Sequence, residues 1–351
     1  IVFTLFVSFL IISWPIINPL LSAALPDSEW AFEDTGIREM HDEGYYGSGI
    51  NVCMVDTGID IKHPDLSHLN LSGFRDFYAQ DHYNIRDIGS NYHGTLMAGL
   101  LVANGTLFGA APKVSLSVAI SLGPSGKSGQ EGMVSQAIRW CRITQDADII
   151  SLSLGANPGE RIDDESETSL AVQEAIDYGI FVVAAAGNTG LDDSIQDISI
   201  PANIEGVIAV AATNKQGSIW RDSANGASTD PYTDLDRIFP NQKPEISAPG
   251  VRLLSTYSSL STDQLFAYSS GTSDSTVLVT GALALLLEKY GAEIAGEDSK
   301  ISYDELIRVK IALAKSTALN STDINHDLQG GYGKLNVIDW GNQIVDEFDI
   351  K

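Results

Sequence analysis

Short apolar runs alternate with longer amphipathic stretches along most of the chain. The apolar runs are too short to be helices and are followed by glycine or small polar residues, a pattern typical of strands that are buried on both faces. They predict strands at Ile50–Val55, Val114–Ile120, Ile149–Leu154, Ile180–Ala185 and Val207–Ala212. Because buried strands that alternate with helices form parallel sheets, the pattern predicts a three-layer α/β fold with a mostly parallel central sheet and helices on both faces.

The amphipathic stretches predict the helices of this fold. Helices are expected at 130–144, 165–178, Asp274–Tyr290 and Tyr303–Ala314, and a further apolar helix follows His93. Gly291 is predicted to end the longest of them, because glycine is common just beyond the last turn of a helix. No internal repeat, low-complexity tract or linker divides the chain, so residues 26–351 are predicted to form one domain.

The start of the chain has the character of a targeting segment. The apolar stretch Ile1–Trp14 is shorter than the roughly 20 residues that a helix needs to span a membrane, and Pro15 and Pro19 follow it. Small residues in Leu21–Ala24 suit a cleavage site, so we interpret residues 1–25 as a signal peptide, with an uncleaved membrane anchor as the alternative. Both interpretations predict that the rest of the protein is secreted or extracellular.

Acidic residues outnumber basic ones by 46 to 21 among the 351 residues, which gives a formal net charge of −25. Nucleic-acid binding requires a basic surface that faces the phosphates, so this balance excludes nucleic acid as a partner. Acidity alone does not identify a substrate, because it is equally compatible with many soluble or extracellular settings.

The two cysteines, Cys53 and Cys141, are too few for a disulfide framework. Cys53 lies within an apolar run and Cys141 within a helical pattern. We therefore interpret both as free thiols buried in the core, with a single bridge between them as the alternative.

Three polar residues stand where an open α/β sheet collects its functional groups, in loops that leave the carboxyl ends of strands or lead into helices. Asp56 follows the first predicted strand, His93 precedes an apolar helix, and Ser273 precedes the longest one. Each alone has a structural explanation, as a turn former, a packed histidine and a helix N-cap respectively. Together, in this chain order and each close to a glycine, they are the groups that activated-serine hydrolysis requires.

The residues around these three resemble the motifs of subtilisin-like serine proteases, in which the same Asp–His–Ser order is known. The aspartate motif is Asp56–Asp60 with His63–Leu66, the histidine motif is His93–Thr95 with Ala98–Gly99, and the serine motif is Ser270–Ser273. Further family markers follow in order at Ser153–Gly155, Ala184–Asn188, Ile200–Ala202, Ser247–Gly250 and Gly331–Asn336. The resemblance extends from about Trp30 to Val345, and it implies a subtilisin-like fold and serine endopeptidase activity.

The resemblance also implies a role for each residue. Ser273 Oγ attacks the scissile carbonyl, His93 serves as general base and then as general acid, and Asp56 fixes the histidine tautomer. The Asn188 side chain and the Ser273 backbone N–H form the oxyanion hole. Catalysis of this kind requires no cofactor, and the implied enzyme is a monomer whose partner is a peptide or protein substrate in an extended conformation.

Two segments are implied to pair with the substrate as neighbouring strands, and small residues are implied to line the pocket for one substrate side chain. These substrate-binding residues are Lys127, Ser128, Gly129, Ser153, Leu154, Gly155, Ala185, Ala186 and Gly187.

The chain departs from the family pattern directly after the serine, where Asp274 replaces the usual methionine. An anion at this position opposes a developing oxyanion and raises the pKa of His93, which moves the working pH upward. The alternative function is therefore a catalytically impaired member of the family that serves as a peptide-binding or protein-binding module.

Members of the family often bind structural calcium, and unspaced carboxylates are available for it. The candidate ligands are Asp76, Asp81 and Asp87, together with Asp192, Asp193 and Asp197. No calcium motif of fixed spacing is present, so surface acidity explains these residues equally well and the calcium hypothesis stays open. A nucleotide-binding protein and a zinc hydrolase are excluded, because the chain has neither a phosphate-binding glycine motif nor an H-E-x-x-H sequence.

Overall fold

The computed structural model describes residues 26–69, 71–127, 131–157, 167–192, 194–195, 197–231, 233–260, 264–296, 300–317 and 324–351. The predicted signal peptide or anchor at residues 1–25 lies outside these ranges. Among the described residues, no helix is both long and apolar enough to cross a lipid bilayer.

The core is a parallel sheet whose strands are mostly buried. Within the described ranges these strands are β1 (Asn51–Asp56), β2 (Gly73–Asp76), β3 (Ser115–Ile120), β4 (Ile149–Leu152), β5 (Phe181–Ala185), β6 (Ile208–Thr213) and β7 (Ile246–Pro249). Their order across the sheet is β2-β3-β1-β4-β5-β6-β7, and every neighbouring pair is parallel. The strands β4, β5 and β6 are mostly apolar and are buried along their whole length, which is typical of a sheet covered on both faces.

Helices cover the sheet, and a separate antiparallel pair of strands lies beside it. The pair consists of β8 (Val251–Thr256) and β9 (Phe266–Ser270). The helices of the described ranges are α1 (Glu29–Asp34), α2 (Ile37–Asp42), α3 (His93–Val102), α4 (Glu131–Ile143), α5 (Glu167–Asp177), α6 (Thr272–Ala295), α7 (Tyr303–Ser316) and α8 (Val337–Glu347). The helices α4 and α5 pack against each other over β1, β3 and β5. The helix α6 packs against α3 and covers β4 to β7.

Cys53 and Cys141 form a disulfide, so their interpretation as free thiols is wrong. Their Cα atoms are 5.7 Å apart, and both residues are completely buried. Cys53 lies on β1 and Cys141 on α4, so two residues separated by 88 positions in the sequence meet in the core. Hydrophobic patterning shows that each cysteine is buried, but it does not show that the two face each other.

The helices α4 and α6 lie on opposite faces of the sheet. Cys53 of β1 points toward α4, to which it is bonded through Cys141. On the other face, the Thr280 hydroxyl of α6 donates a hydrogen bond to Ser151 Oγ of β4, at 3.1 Å. Ser151 is in register with Met54, the neighbour of Cys53, so its side chain points away from α4. This arrangement confirms the predicted three-layer α/β fold.

The helix α6 is longer at both ends than the predicted Asp274–Tyr290. It continues through Gly291, so the prediction that this glycine ends the helix is wrong. A glycine inside a helix costs only about 1 kcal/mol, and one more turn buries Ile294 in the core. The helix ends instead at Gly296, whose φ of +58° lies in the region that favours glycine.

The sheet order creates a switch point between β1 and β4. From β1 the chain goes to β2 and β3 on one side and then to β4 and the later strands on the other. Ligands of open α/β sheets bind in the crevice at such a point, outside the carboxyl ends of the strands. Asp56 ends β1, Ser153 follows β4 and Asn188 follows β5, so all three lie at this edge.

Candidate active site

Asp56 and His93 form a hydrogen-bonded pair at the carboxyl edge of the sheet. Asp56 is completely buried, and His93, the first residue of α3, has 22% of its side chain exposed. The Nδ1 atom of His93 lies 2.8 Å from Asp56 Oδ1 and 3.0 Å from Oδ2. Because a carboxylate only accepts hydrogen bonds, Nδ1 carries the hydrogen of the neutral ring and Nε2 keeps its lone pair. This is the tautomer that a general base requires.

Two glycines allow α3 to approach the turn that follows Asp56. A Cβ atom on Gly94 would lie 2.1 Å from the carbonyl oxygen of Gly58. Gly58 itself has a φ of +123°, and a Cβ there would lie 2.1 Å from the carbonyl oxygen of Arg86. A side chain at Gly94 would push α3 away from the turn that follows Asp56, and a side chain at Gly58 would push that turn away from the Arg86 backbone, which explains why both motifs contain glycine.

Ser273, the second residue of α6, has only 8% of its surface exposed and is hydrogen-bonded to the loop after β4. Its Oγ atom donates a hydrogen bond to the carbonyl oxygen of Ser153 at 3.2 Å. In return, Ser153 Oγ donates to the carbonyl oxygen of Ser273 at 3.1 Å. Among the described residues, no hydrogen bond joins Ser273 Oγ to the His93 ring. The Ser273 hydroxyl therefore rests on the Ser153 carbonyl in this structure.

Thr272 fixes the orientation of the exposed Asn188 amide. The backbone N–H and the hydroxyl of Thr272 both donate to Asn188 Oδ1, each at 3.0 Å. The Thr272 hydroxyl also accepts a hydrogen bond from the backbone N–H of Gly187 at 3.1 Å. With Oδ1 occupied twice, the Nδ2 group of Asn188 remains as a donor directed away from Thr272. Sequence reasoning did not single out Thr272, although it lies inside the quoted serine motif.

The electrostatics of the site favour a protonated His93. Burial opposes a charge on the ring, but the charge of Asp56 and its hydrogen bond outweigh burial and raise the His93 pKa to about 9. The charges of Asp274 and Asp87 add to this effect. This direction agrees with the expectation for Asp274 drawn from the sequence.

Asp274 is itself unusual, because its carboxyl group is almost completely removed from water. It is 1% exposed, and burial raises its pKa to about 7, although a hydrogen bond from Ser269 and the charge of His93 act against this. A carboxylate beside the first turn of a helix is favourable on dipole grounds, which offsets part of the cost of burial.

The structure brings several of the predicted substrate-binding residues to the same edge. Ser153, Leu154 and Gly155 directly follow β4, and Ala185, Ala186 and Gly187 end β5 and begin its loop. A Cβ on Gly155 would lie 2.6 Å from Ser199 Cβ, so this strand end needs glycine to pass the neighbouring segment.

Lys127 is exposed in a turn that begins at Gly123, where the Gly123 backbone N–H donates to its carbonyl oxygen at 2.9 Å. The carbonyl oxygen of Pro124 in this turn accepts from the backbone N–H of Ser90, at 2.8 Å, which joins the turn to the loop before His93. Ser128 and Gly129 lie outside the described residues.

The calcium candidates do not converge on a cation site. Asp76 and Asp81 are both paired with Arg86, Asp197 with Arg237, and no group of three or more acidic, histidine or cysteine side chains in the described ranges could hold a metal ion. The Asp87 oxygens accept hydrogen bonds from neighbouring threonines and a backbone N–H, and Asp192 accepts two from Ser194. Asp193 lies outside the described residues. Carboxylates that already face cations and donors do not fit calcium.

Comparison with known proteins places this geometry in a family. The sequence model of the subtilase family matches residues 47–333. A thermostable alkaline protease of Halalkalibacterium halodurans is 34% identical over 264 residues, which cover 74% of this chain and 63% of that protein. Subtilisin E of Bacillus subtilis is 35% identical over 254 residues, covering 72% of this chain and 58% of that protein.

Subtilisin DY of Bacillus licheniformis is 36% identical over 252 residues, covering 71% of this chain and 80% of that protein. The chain thus spans about three fifths of the length of the first two relatives. The matched region contains every motif from Asp56 to Ser273 and all seven strands of the parallel sheet. The resemblance predicted from these motifs is confirmed, and the chain belongs to the subtilase family.

Proposed function

We propose that this protein is a serine endopeptidase in which Ser273, His93 and Asp56 form the catalytic triad. The observation that carries the proposal is the hydrogen bond between His93 Nδ1 and Asp56, which leaves Nε2 of the ring as a base at the carboxyl edge of the sheet. Ser273 is the second residue of α6, which packs against α3, the helix that begins with His93, and the charge of its neighbour Asp274 acts on His93.

The chemistry begins with a change of partner for the serine hydroxyl. Ser273 Oγ leaves the Ser153 carbonyl by rotation about χ1 and donates to His93 Nε2. His93 removes the proton as Oγ forms a bond to the scissile carbonyl carbon, whose oxygen becomes an oxyanion. His93 then passes that proton to the leaving amine as the C–N bond breaks, and a water molecule hydrolyses the acyl-enzyme by the same steps.

Asn188 and the start of α6 supply the oxyanion hole. Thr272 holds the oxygen of the Asn188 amide through two hydrogen bonds, so the Nδ2 group is directed before the reaction begins. The Ser273 backbone N–H is a first-turn donor of α6, which has no acceptor within the helix. Preorganised donors of this kind stabilise the transition state without reorganising during the reaction.

The proposed substrate is a peptide or protein segment in an extended conformation. Its main chain would pair with Ser153–Gly155 on one side and with the segment at Lys127–Gly129 on the other, and Ala185, Ala186 and Gly187 would border the pocket for one side chain. Small residues leave room for a sizeable side chain. The chemistry uses the chain's own groups and requires no cofactor. We further propose a monomeric, extracellular enzyme with residues 1–25 as its targeting segment.

Labelling with a fluorophosphonate probe tests this proposal, because the probe reacts covalently with an activated serine. The chain is expected to be labelled most rapidly above pH 9, where His93 is neutral. Ser273→Ala should abolish labelling, whereas Ser275→Ala should not, since Ser275 lies in the same helix but donates its hydroxyl hydrogen to the Ala248 carbonyl oxygen of β7. A folded chain that stays unlabelled on both sides of pH 9 would overturn the proposal.

A further inference from the structure

Asp87, in the loop before α3, accepts four hydrogen bonds through its carboxylate. Its Oδ1 atom accepts from Thr57 Oγ1 at 2.7 Å and from the Gly89 backbone N–H at 2.8 Å. Its Oδ2 atom accepts from the Thr95 backbone N–H at 2.8 Å and from Thr95 Oγ1 at 2.7 Å. Both oxygens of one half-buried carboxylate are thus fully used.

These bonds replace the missing cap of α3, the helix that begins with His93. The N-cap residue, Tyr92, has a left-handed conformation and makes no side-chain cap hydrogen bond. The first N–H groups of a helix have no acceptor within it. Here Asp87 accepts from Thr95, and Thr57 Oγ1 accepts from the Gly94 backbone N–H at 2.9 Å. The orientation of the first turn of α3 therefore depends on side chains from other segments.

The same carboxylate also fixes the turn that carries Asp56. The Thr57 hydroxyl donates its hydrogen to Asp87, which leaves its lone pairs for Gly94 and so sets the direction of both bonds. The backbone N–H of Thr57 in turn donates to Asp56 Oδ1 at 2.7 Å. Asp87 is therefore bonded to a residue adjacent to Asp56 and to a residue of the first turn that presents His93.

We infer that Asp87 is a positioning residue for the Asp56–His93 pair: its carboxylate joins the Asp56 turn to the first turn of α3 and thereby sets the orientation of the imidazole ring. This inference rests on the proposed function, because it concerns the same pair. Among the described residues, Asp87 has no hydrogen bond to the His93 ring or to Ser273. It acts through Thr57 and Thr95, which are both buried. Hydrophobic patterning does not reveal that these two threonines bind the same carboxylate.

The charge of Asp87 acts on His93, so the His93 pKa is a second property that the inference predicts to change. The ionisable groups that act on His93 are Asp56, Asp274 and Asp87, and all three favour the protonated ring. Asp87 also faces Asp56, and burial raises the pKa of Asp87 above its ordinary value. Loss of the Asp87 charge should therefore lower the pKa of His93, and a looser His93–Asp56 pair would lower it further, whereas a loss of global stability that leaves the pair intact would not change it.

The test compares Asp87→Asn with Asp81→Asn in the full chain. An amide has one acceptor oxygen, so its NH2 group must face either the Thr57 and Gly89 donors or the two Thr95 donors. We expect kcat per labelled active site to fall by about 10-fold to 100-fold, the range that a small misplacement of a catalytic group produces, with KM changed less than about twofold. Asp81, paired with Arg86 on the same loop, supplies the matched control and should leave kcat unchanged.

A second pair of variants covers the case in which Asp87→Asn does not fold. Thr57→Val replaces a buried hydroxyl with a methyl group of the same shape and removes both of its hydrogen bonds. It should lower kcat in the same way, and Thr57→Ser, which keeps the hydroxyl, should restore most of it. If Thr57→Val and Thr57→Ser lose activity equally, the bonded bridge is not what orients His93.

A measurement without turnover separates this inference from the proposed function. In a Ser273→Ala background, NMR titration of the His93 ring should give a lower pKa when Asp87→Asn is added. Labelling of the unmodified chain by the fluorophosphonate tests the proposed function alone. An unchanged His93 titration together with unchanged kcat would overturn the positioning role, even in a chain that labels fully.

Discussion

Asp274 Oδ2 accepts a hydrogen bond from Ser269 Oγ at 3.0 Å, which ties the residue after the proposed nucleophile to the strand before it. The second oxygen, Oδ1, is buried with no hydrogen-bond partner among the described residues. An unsatisfied carboxylate oxygen in the interior costs free energy, so the group favours its neutral form and its pKa rises to about 7. The residue that departs from the family pattern is therefore a titrating group beside the proposed catalytic centre.

The first prediction concerns the pH dependence of activity. The Asp274 anion favours protonated His93, and only neutral His93 acts as a base. Asp274→Asn should lower the His93 pKa, so the acidic limb of the profile of kcat/KM against pH moves to lower pH. Activity near pH 7 should rise by up to about tenfold, the change in neutral histidine for one unit of pKa.

Profiles of kcat/KM from pH 5 to pH 11 measure this shift. The charge-matched control is Asp34→Asn, at an exposed position of α1, which should leave the profile in place. An acidic limb that moves to higher pH in Asp274→Asn would contradict this prediction, because it would show that the carboxylate lowers the His93 pKa.

The second prediction concerns the oxyanion hole. Asn188→Ala removes the Nδ2 donor that Thr272 orients, so kcat should fall by about 100-fold to 1000-fold. KM should change little, because the donor acts on charge that develops only in the transition state. Steady-state kinetics on a peptide substrate separate the two constants.

Asn336→Ala provides the matched control for that substitution. Asn336 caps α8 through two backbone N–H groups, so its loss should lower stability by about 1 kcal/mol and leave kcat unchanged. Equal losses in kcat and in substrate affinity for Asn188→Ala would argue that Asn188 binds the ground state as well.

The third prediction concerns the disulfide between β1 and α4. The bridge closes a loop over 88 positions, so Cys53→Ala with Cys141→Ala should lower the free energy of unfolding by roughly 4.5 kcal/mol, the loop-closure entropy for a loop of this length. Denaturant unfolding of the wild type with and without reductant gives the same comparison without mutation. If reductant does not lower the denaturant concentration at the midpoint of unfolding, the bridge contributes nothing to stability.

Local patterning was sufficient for the elements of the sheet centre. Each predicted strand is present as β1, β3, β4, β5 or β6, because continuous aliphatic runs are a strong signal for strands buried on both faces. The two strands of the parallel sheet that the patterning did not predict, β2 and β7, have weak local signals. The edge strand β2 reads Gly-Phe-Arg-Asp with a single large apolar residue, and β7 ends in a proline. Their pairing partners, not their own residues, define them as strands.

The candidate site shows the same division between local and long-range information. Asp56, His93 and Ser273 were predicted because each stands in a short motif, and the structure brings Asp56 and His93 into contact. The supporting contacts join segments far apart in the chain, as Thr272 does with Asn188 and as Cys53 does with Cys141. The pattern of a single sequence predicts which residues are buried, but the contacts between distant segments are seen only in the three-dimensional structure.

The fourth prediction concerns acid stability and the buried His41, which stacks on Tyr46. Its Nδ1 atom lies 3.1 Å from Arg38 Nη1, and Nε2 lies 2.9 Å from the Ala110 carbonyl oxygen. Arg38 only donates and a carbonyl only accepts, so both nitrogens of the neutral ring are used. Protonation would place a hydrogen between Nδ1 and a guanidinium. Burial, with the Arg38 charge, lowers the His41 pKa to about 4.

Because the folded state lowers the His41 pKa, protonation of His41 favours the unfolded chain. Below about pH 6.5 the unfolded chain binds a proton at His41 that the folded chain does not bind until about pH 4. The stabilisation is therefore complete above pH 6.5 and is lost as the pH falls toward 4, by about 3 kcal/mol in total. His41→Gln keeps one donor and one acceptor but does not titrate, so its free energy of unfolding should fall less over this interval. Denaturant unfolding of both proteins at pH 4 and pH 7 gives the comparison, and equal losses would assign the acid sensitivity to other groups.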